Sequence, residues 1–313
     1  MFEPARHLSP TTIPAQELRK ELDNVVKVAR FYKCAGKAFR MLTSAYERVV
    51  EGKVTSSLTD EQYKKTLEAF PEHPAVQIEV PPITEGMADS IQFTPDQIND
   101  VIVRMPEGRA QGPSGLSTTH LRVLTKNIPN FARHLSMLGN MLLTDEKAID
   151  RIPALYRYRI QCIPKHSHPG EKEDPNKAKF RPICIQEPIL TALHKFLARR
   201  LIYLVRMKPY QFCFLPAGII AARAEVYKSL KENRELLVLD VKNAFGTIPH
   251  NQISKMLRTR APGVQVTSYI ERYLKKRHSD DLQGIHEGVG VPQGDPLSML
   301  LFALAIEPVL EQL

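Results

Sequence analysis

The feature that most constrains the fold of this chain is a short, continuous apolar run that ends on an acid, ELLVLD at residues 235–240. A strand with one face in water alternates apolar and polar residues, whereas an uninterrupted apolar run indicates a strand buried on both faces. The sequence therefore predicts a buried strand over residues 235–240 with Asp240 at its end. An isolated charge at such a place is costly unless it is paired or bound to a metal ion.

Strands and helices surround this run without strict alternation, which predicts the α+β class rather than a doubly wound sheet. The predicted elements are a strand over Tyr156–Pro164, a polar loop over His166–Lys179, a strand over Phe180–Ile185, a helix over Pro188–Met207, two helices after Pro249, a glycine-punctuated hairpin around Gly284–Gly290, and a last helix from Pro296.

The N-terminal part is predicted to be helical. Residues 15–50 carry apolar positions at helical spacing, and the basic residues between them are interpreted as a solvated face rather than a nucleic-acid groove. Thr59 and Thr94 each begin a capping-box pattern, so a helix should follow each. The proline-rich stretch Pro71–Pro82 favours an extended connection. We place a boundary there, with a helical extension over residues 1–82 and the main domain over residues 83–313.

Composition excludes several classes of protein. The contents of 43% hydrophobic and 25% charged residues are those of a globular chain. The excess of 43 Lys and Arg over 34 Asp and Glu gives a net charge of +9, which favours polyanionic partners. The four cysteines form no CxxC pair, so neither a zinc knuckle nor a disulfide framework is indicated. The sequence shows neither a signal peptide nor a membrane span, and an intracellular protein of the cytoplasm or nucleus is the expectation.

Two segments carry most of the chemical information, LDVKNAF at residues 239–245 and GVPQGDPLS at residues 290–298. Asp240 suits a Mg²⁺ ligand, because Mg²⁺ is held by one or two carboxylates plus substrate phosphates. Capping of the following turn is an equal alternative for this acid. Phe245 suits either the core or the floor of a nucleotide pocket. The residues from Gln293 to Pro296 read as a turn followed by the start of a helix.

These segments together resemble a known family. LDVKNAF resembles motif A of reverse transcriptases, and VPQGDPLSMLLFALAIEPVL resembles motif B of the non-LTR (LINE-type) retrotransposon branch, in the expected order. Residues 109–116, RAQGPSGL, resemble a glycine-containing segment of that branch, and Ile163-Pro164-Lys165 with residues 180–183 resembles its fingers motif. The resemblance covers roughly residues 90–313.

The resemblance implies a right-hand polymerase, of which this chain would contain the fingers and a partial palm behind the helical extension. The implied activity is RNA-directed DNA polymerisation, a nucleotidyl transfer that uses Mg²⁺, deoxynucleoside triphosphates, an RNA template and a DNA primer, with no membrane. Asp240 and the main-chain carbonyl of Val241 would bind the catalytic metals, and two such ions would clamp the attacking and leaving oxygens. Phe245 would be the steric gate against a ribonucleotide's 2′-hydroxyl.

The same resemblance implies the residues that hold the substrates. Lys165 and Arg181 would hold the incoming triphosphate as a point charge and a planar fork, although each also suits an ordinary charge at a strand end. Gln293 and Gly294 would touch the template and the nucleotide near the insertion site.

Three departures from the family pattern bear on these expectations. The family's motif C, a Tyr/Phe-x-Asp-Asp hairpin, does not occur in these 313 residues, so this polypeptide alone is expected not to polymerise. Without that hairpin the predicted motif A strand would have an unpaired edge. Ala217 replaces one of two glycines, and Gly246 stands where Asn or Asp is frequent. The alternative function is a catalytically dead remnant that binds nucleic acid electrostatically.

Overall fold

The structure is a computed structural model that describes residues 59–69, 91–164, 180–261, 265–279 and 288–312. Its helices and strands are, in chain order, α1 (Asp60–Ala69), α2 (Pro95–Arg104), α3 (Thr118–Asn127), α4 (Phe131–Thr144), α5 (Ala148–Arg151), β1 (Arg157–Pro164), β2 (Phe180–Gln186), α6 (Pro188–Val205), α7 (Gly218–Lys231), α8 (Ala244–Thr247), α9 (His250–Arg260), α10 (Gln265–Lys276), β3 (His278–Ser279) and α11 (Ser298–Leu310). Short 3₁₀ helices occupy Pro153–Tyr156 and Phe212–Phe214. The prediction of an α+β chain is confirmed.

Both predicted capping boxes are present. The Thr59 hydroxyl accepts a hydrogen bond from the amide of Gln62, whose side chain in turn accepts one from the Thr59 amide, and α1 follows. Thr94 and Gln97 make the same reciprocal pair before α2, with Pro95 in its first turn. Each box satisfies amides that lack a partner inside the helix, so the local sequence sets where these helices begin.

The sheet places one strand between two others. β1 and β2 pair antiparallel from Tyr158↔Gln186 to Pro164↔Phe180, and the two residues of β3 pair parallel with the start of β1. Both strands of this hairpin and the following helix α6 were predicted, each within about two residues. Helix α1 covers part of the hairpin, where Tyr63 and Leu67 pack against a small cluster that contains Tyr158 and Ile160.

The main core lies among the helices rather than on the sheet. Helices α2, α4, α6, α9, α10 and α11 all contribute buried apolar side chains to one cluster. The long helix α6 is buried along much of its length, and His194 is a fully buried polar residue within it. A polar side chain at such a place needs hydrogen-bond partners, and these lead to the site described below.

The prediction of a buried strand over residues 235–240 is wrong. These residues have no regular secondary structure, and all of them are exposed, with Val238 at 89%. The preceding helix α7 is also exposed, with Gly218 as its buried residue. A strand buried on both faces needs neighbours, and none of the described strands lies beside this run. The apolar composition was read correctly, but the partners that burial requires are missing from the described part of the chain.

Several predictions lie outside the described residues. These are the helices over residues 15–50, the connection at Pro71–Pro82, the loop at His166–Lys179 and most of the hairpin at Gly284–Gly290. The domain boundary after residue 82 stays a prediction. The two helices after Pro249 and the C-terminal helix are confirmed as α9, α10 and α11, although α11 begins at Ser298 rather than Pro296. None of the helices within the described ranges is long and apolar enough to cross a membrane.

Candidate nucleotide and template site

The turn that contains Gln293 and Gly294 lies directly against β2. The main-chain amide of Cys184 donates a hydrogen bond to the carbonyl oxygen of Gln293 at 2.7 Å. Gly294 has φ +129°, and a Cβ atom there would lie 2.5 Å from the carbonyl oxygen of Cys184. A side chain at residue 294 would therefore push the turn off the strand, which explains why the turn needs glycine at this position.

The segment that follows Asp240 meets the residues just before this turn. The amide of Val291 donates to the carbonyl of Phe245 at 2.6 Å, and the amide of Gly290 donates to that of Ile248 at 2.7 Å. Gly290 has φ +77°, and a Cβ there would lie 2.9 Å from the carbonyl oxygen of Gly246. The two segments that were singled out from the sequence are thus joined through their main chains.

The side chains of His250 and Arg277 bind the main chain just before the turn. The His250 ring donates from Nε2 to the Gly290 carbonyl at 2.7 Å, and the Arg277 guanidinium donates to the carbonyls of Val289 and Gly290 at 3.0 and 2.6 Å. Burial, and secondarily the charge of Arg277, lowers the pKa of His250 to about 3. The ring is therefore neutral at physiological pH, although the hydrogen bond to the Gly290 carbonyl by itself favours the protonated form.

Four of the five predicted substrate contacts lie in this region, namely Arg181, Phe245, Gln293 and Gly294. Arg181 is exposed on β2, two residues from Ile183, so both side chains lie on the same face of the strand. The side chain of Ile183 lies 3.5 Å from the point that a Cβ on Gly294 would occupy. Phe245 is half-buried and packs on Phe302 with ring centroids 5.6 Å apart. Arg181, the Gln293–Gly294 turn and Phe245 thus lie along one continuous set of contacts.

The predicted metal ligands are not part of that set. Asp240 and Val241 lie in the exposed segment, and the Asp240 carboxylate has no hydrogen bond or ion pair with another described residue. Within the described ranges no group of three or more His, Cys, Asp or Glu side chains could share a metal ion. These residues alone therefore do not fit a two-metal Mg²⁺ site. Lys165 lies outside the described residues.

The segment at residues 111–116 is clamped onto the junction between β2 and α6. The buried carboxylate of Glu187 accepts hydrogen bonds from the amide and the hydroxyl of Ser114 at 2.8 and 2.6 Å. A Cβ at Gly112 would lie 2.9 Å from the carbonyl oxygen of Gln186. Arg159 on β1 also donates to the carbonyl of Gln111 at 2.9 Å. The glycine-containing segment noted in the sequence is therefore fixed to the same hairpin as the turn.

A fully buried polar network lies beneath the Gln293–Gly294 turn. The Asp295 carboxylate accepts hydrogen bonds from His194 Nδ1 at 2.9 Å, from the Tyr273 hydroxyl at 2.5 Å and from the Leu297 amide at 2.9 Å. The Tyr273 hydroxyl accepts one from the side chain of Gln186 at 2.7 Å. The network thus joins β2, α6, α10 and the turn before α11.

The ionisation of this network follows from its hydrogen bonds. Burial by itself would raise the pKa of Asp295, but the charge of His194 and the hydrogen bonds from His194, Tyr273 and Leu297 hold the pKa of this carboxyl below its usual range. Burial and the Asp295 charge raise the pKa of the Tyr273 hydroxyl. Tyr273 therefore stays a donor to an ionised carboxylate, which is a strong type of hydrogen bond.

Sequence reasoning missed Asp295, His194, Tyr273 and Glu187. Asp295 was interpreted only as part of a turn. An acid next to apolar residues at the start of a helix nevertheless needs a partner if it is buried, and that need is a signal. His194 interrupts the apolar face of α6, and that interruption is the signal which could have found it. Its partner Asp295 is 101 positions away in the sequence, a separation that no local pattern reveals.

Comparisons with known proteins agree with the resemblance to reverse transcriptases found in the sequence. Residues 163–313 match the reverse transcriptase (RNA-dependent DNA polymerase) family. A retrovirus-related Pol polyprotein from the type-1 retrotransposable element R2 of Nasonia vitripennis is 30% identical over 219 residues, which is 65% of this chain. The corresponding R2 protein of Popillia japonica is 30% identical over 49% of the chain, and that of the type-2 element R2DM of Drosophila melanogaster is 31% identical over 43%.

The chain spans only a small part of these relatives. The matched region covers 20%, 23% and 14% of the Nasonia, Popillia and Drosophila proteins, respectively. The family match nevertheless includes both segments that carried the resemblance, at residues 239–245 and 290–298. Residues 163–313 therefore carry a reverse transcriptase domain of the kind found in non-LTR retrotransposons.

Proposed function

We propose that this chain contributes the template- and nucleotide-contacting part of an RNA-directed DNA polymerase of a non-LTR retrotransposon. In this proposal residues 83–313 form the fingers and a partial palm of a right-hand polymerase, behind a helical extension over residues 1–82. The partners are an RNA template, a DNA primer and deoxynucleoside triphosphates, and the protein works in the cytoplasm or nucleus.

One observation carries the proposal. The main-chain hydrogen bonds of Gly290, Val291 and Gln293 join the segment after Asp240 to the strand that bears Arg181. Arg181, Phe245 and the Gln293–Gly294 pair therefore lie around one turn, although they come from three separate parts of the sequence. Arg181 would bind phosphate oxygens, and the exposed Gly294 would let a base or sugar approach the main chain closely.

Metal chemistry enters the proposal only through Asp240. Reverse transcriptases generally use divalent metal, and we propose Mg²⁺ with Asp240 and the Val241 carbonyl as ligands contributed by this chain. Because the described residues bring no second carboxylate to Asp240, they support no reaction step at the metal. We expect this polypeptide alone not to extend a primer.

Primer extension tests this proposal. The assay uses a poly(A) template, an oligo(dT) primer, deoxythymidine triphosphate and Mg²⁺. It compares the chain alone with a chimera in which the chain continues into the part of the Nasonia relative that follows the aligned region, and with the same chimera carrying Asp240→Ala. We expect extension by the intact chimera only.

A second function is favoured by the surface charge. Burial and then the charges of Arg109 and Arg199 lower the pKa of Lys195, so these three cations lie near one another, with Lys195 and Arg199 on α6 and Arg109 in the loop between α2 and α3. Such a group suits phosphate binding without catalysis. If the chimera is inactive while the chain binds RNA with an affinity that falls steeply with salt, the binding-only function replaces the polymerase proposal.

A further inference from the structure

We infer that Asp295 is a positioning residue, which fixes the Gln293–Gly294 turn against β2 through its hydrogen bonds to His194 and Tyr273. This inference deepens the proposed function and rests on it, since the turn is the part of the site expected to contact template and nucleotide. Asp295 itself is buried, with 1% of its side chain exposed, and does not touch the substrates.

The geometry of the carboxylate explains why an acid suits this position. Asp295 is two residues from Gln293, and both of its oxygens are used, with His194 and the Leu297 amide on Oδ1, and Tyr273 and His194 on Oδ2. The donors come from α6, from α10 and from Leu297 directly before α11, so they fix the carboxylate in three directions. Its orientation fixes the turn, because only one residue separates it from the Gln293 carbonyl that binds β2.

The arrangement of the turn distinguishes a positioning role of Asp295 from a role in packing the core. One side of the turn faces the buried network, and the other side leaves Gly294 exposed. Apolar residues of similar volume can replace buried charges without loss of stability, so the packing of the core does not by itself require an acid here. Hydrogen bonds are directional, and they can hold the exposed side in one orientation.

The network also reaches the second loop of the site. Gln186 donates to the Tyr273 hydroxyl, and the next residue, Glu187, holds Ser114 in the segment 111–116. Two adjacent side chains at the end of β2 therefore connect to the two loops on either side of it. A disturbance of Tyr273 should reach the turn directly, whereas the Glu187–Ser114 contacts should persist.

The test uses a substitution that removes one hydroxyl. Tyr273→Phe deletes the donor to Asp295 Oδ2 at 2.5 Å and keeps the ring in the core. Ser254→Ala is the matched control, because it deletes a buried hydroxyl that donates to the buried carboxylate of Glu271 at the same distance, away from the turn.

Amide hydrogen exchange of the chain reads out the turn. The amides of Cys184 and Leu297 report it, because they donate to Gln293 and Asp295, and the Ala261 amide in the core serves as reference. In Tyr273→Phe we expect exchange at Cys184 and Leu297 to be about tenfold faster relative to Ala261, as follows from loss of one hydrogen bond to a charged group. Ser254→Ala should leave this ratio unchanged. An equal change in the two variants, or none in either, overturns the inference.

Binding of a fluorescent oligo(rA)–oligo(dT) duplex in the presence of deoxythymidine triphosphate is the second readout. We expect Tyr273→Phe to weaken binding by about tenfold, and Asp295→Asn to retain more affinity than Asp295→Ala because its carbonyl still accepts from Leu297. Unchanged binding by Asp295→Ala would overturn the inference. If the unsubstituted chain binds neither ligand, the proposed function fails, and the exchange experiment decides the positioning role by itself.

Discussion

Replacement of Gly294 by alanine should detach the turn from β2 and lower the free energy of unfolding. The structure shows which contributions make up this loss. The new Cβ would lie 2.5 Å from the carbonyl oxygen of Cys184, a main-chain atom that cannot rotate away. The hydrogen bond from the Cys184 amide to the Gln293 carbonyl lies beside that contact and should be lost with it. Gly294→Ala thus tests the central packing of the candidate site.

The expected loss of stability has two contributions. A non-glycine residue held at a rare positive φ costs on the order of 1–3 kcal/mol. The lost hydrogen bond to Gln293 adds about 0.5–1.5 kcal/mol. Gly108→Ala is the control, because Gly108 also has positive φ, +68°, but has nothing within 4 Å of its Cβ position. It should cost about 1–2 kcal/mol from the backbone alone, and Gly294→Ala should exceed it by about 1–2 kcal/mol.

Urea unfolding followed by far-ultraviolet circular dichroism measures both variants. The comparison uses the free energy of unfolding, with the dependence on urea required to stay the same in all three proteins. Equal losses for Gly294→Ala and Gly108→Ala would refute the contact between the turn and β2. The grouping of Arg181 with Gln293 would then have no structural basis.

Three further predictions concern His250, which binds the carbonyl before the turn, and the two residues at the start of α7. The pKa of His250 is about 3 in the folded chain against 6.5 for the free side chain, so the unfolded chain binds the extra proton and stability falls as pH drops below 6.5. Between pH 7.5 and 5.5 this histidine should remove about 1.4 kcal/mol from the free energy of unfolding, and His250→Gln should lack that part of the decrease; an undiminished decrease in the variant would contradict the assignment. Ala217 has φ +54°, so Ala217→Gly should raise the unfolding temperature by relieving about 1 kcal/mol of strain. Gly218→Ala should instead lower it strongly, because its Cβ would overlap the carbonyl oxygen of Phe212.

The elements that sequence reasoning predicted correctly are those whose cause is local. The capping boxes at Thr59 and Thr94 predicted helix starts because the partners lie three residues apart. The β1–β2 hairpin and helix α6 were also predicted correctly. Their apolar patterns lie within the elements themselves, and so does the proline at the start of α6. The sequence also marked Gln293 and Gly294, because a resemblance to known motifs carries information that local propensity does not.

The parts that failed depend on residues far apart in the sequence. The run at residues 235–240 has the composition of a buried strand, but composition does not supply the neighbouring strands that bury it. Asp295 joins His194 across 101 positions and Tyr273 across 22, so its role appears only when helices α6 and α10 are packed together. Ala217 is an intermediate case: the sequence showed only that it replaces one of two glycines of the family pattern, and its positive φ now explains why glycine suits that position.

These two failures have a common consequence for the proposed enzyme. The turn at Gln293 and Gly294 is held by β2 and by the Asp295 network, and neither of these contacts involves Asp240. The described residues therefore fix the part of the site that would contact template and nucleotide independently of the part that would bind metal. Binding and catalysis should then be separable, so that Asp240→Ala abolishes extension by the chimera while it leaves duplex binding intact. Loss of both binding and extension would mean that the exposed segment before Phe245 also orders the turn. The effect of Asp240→Ala would then have to reach the turn through the hydrogen bonds of Val291 with α8 and of Gly290 with Ile248.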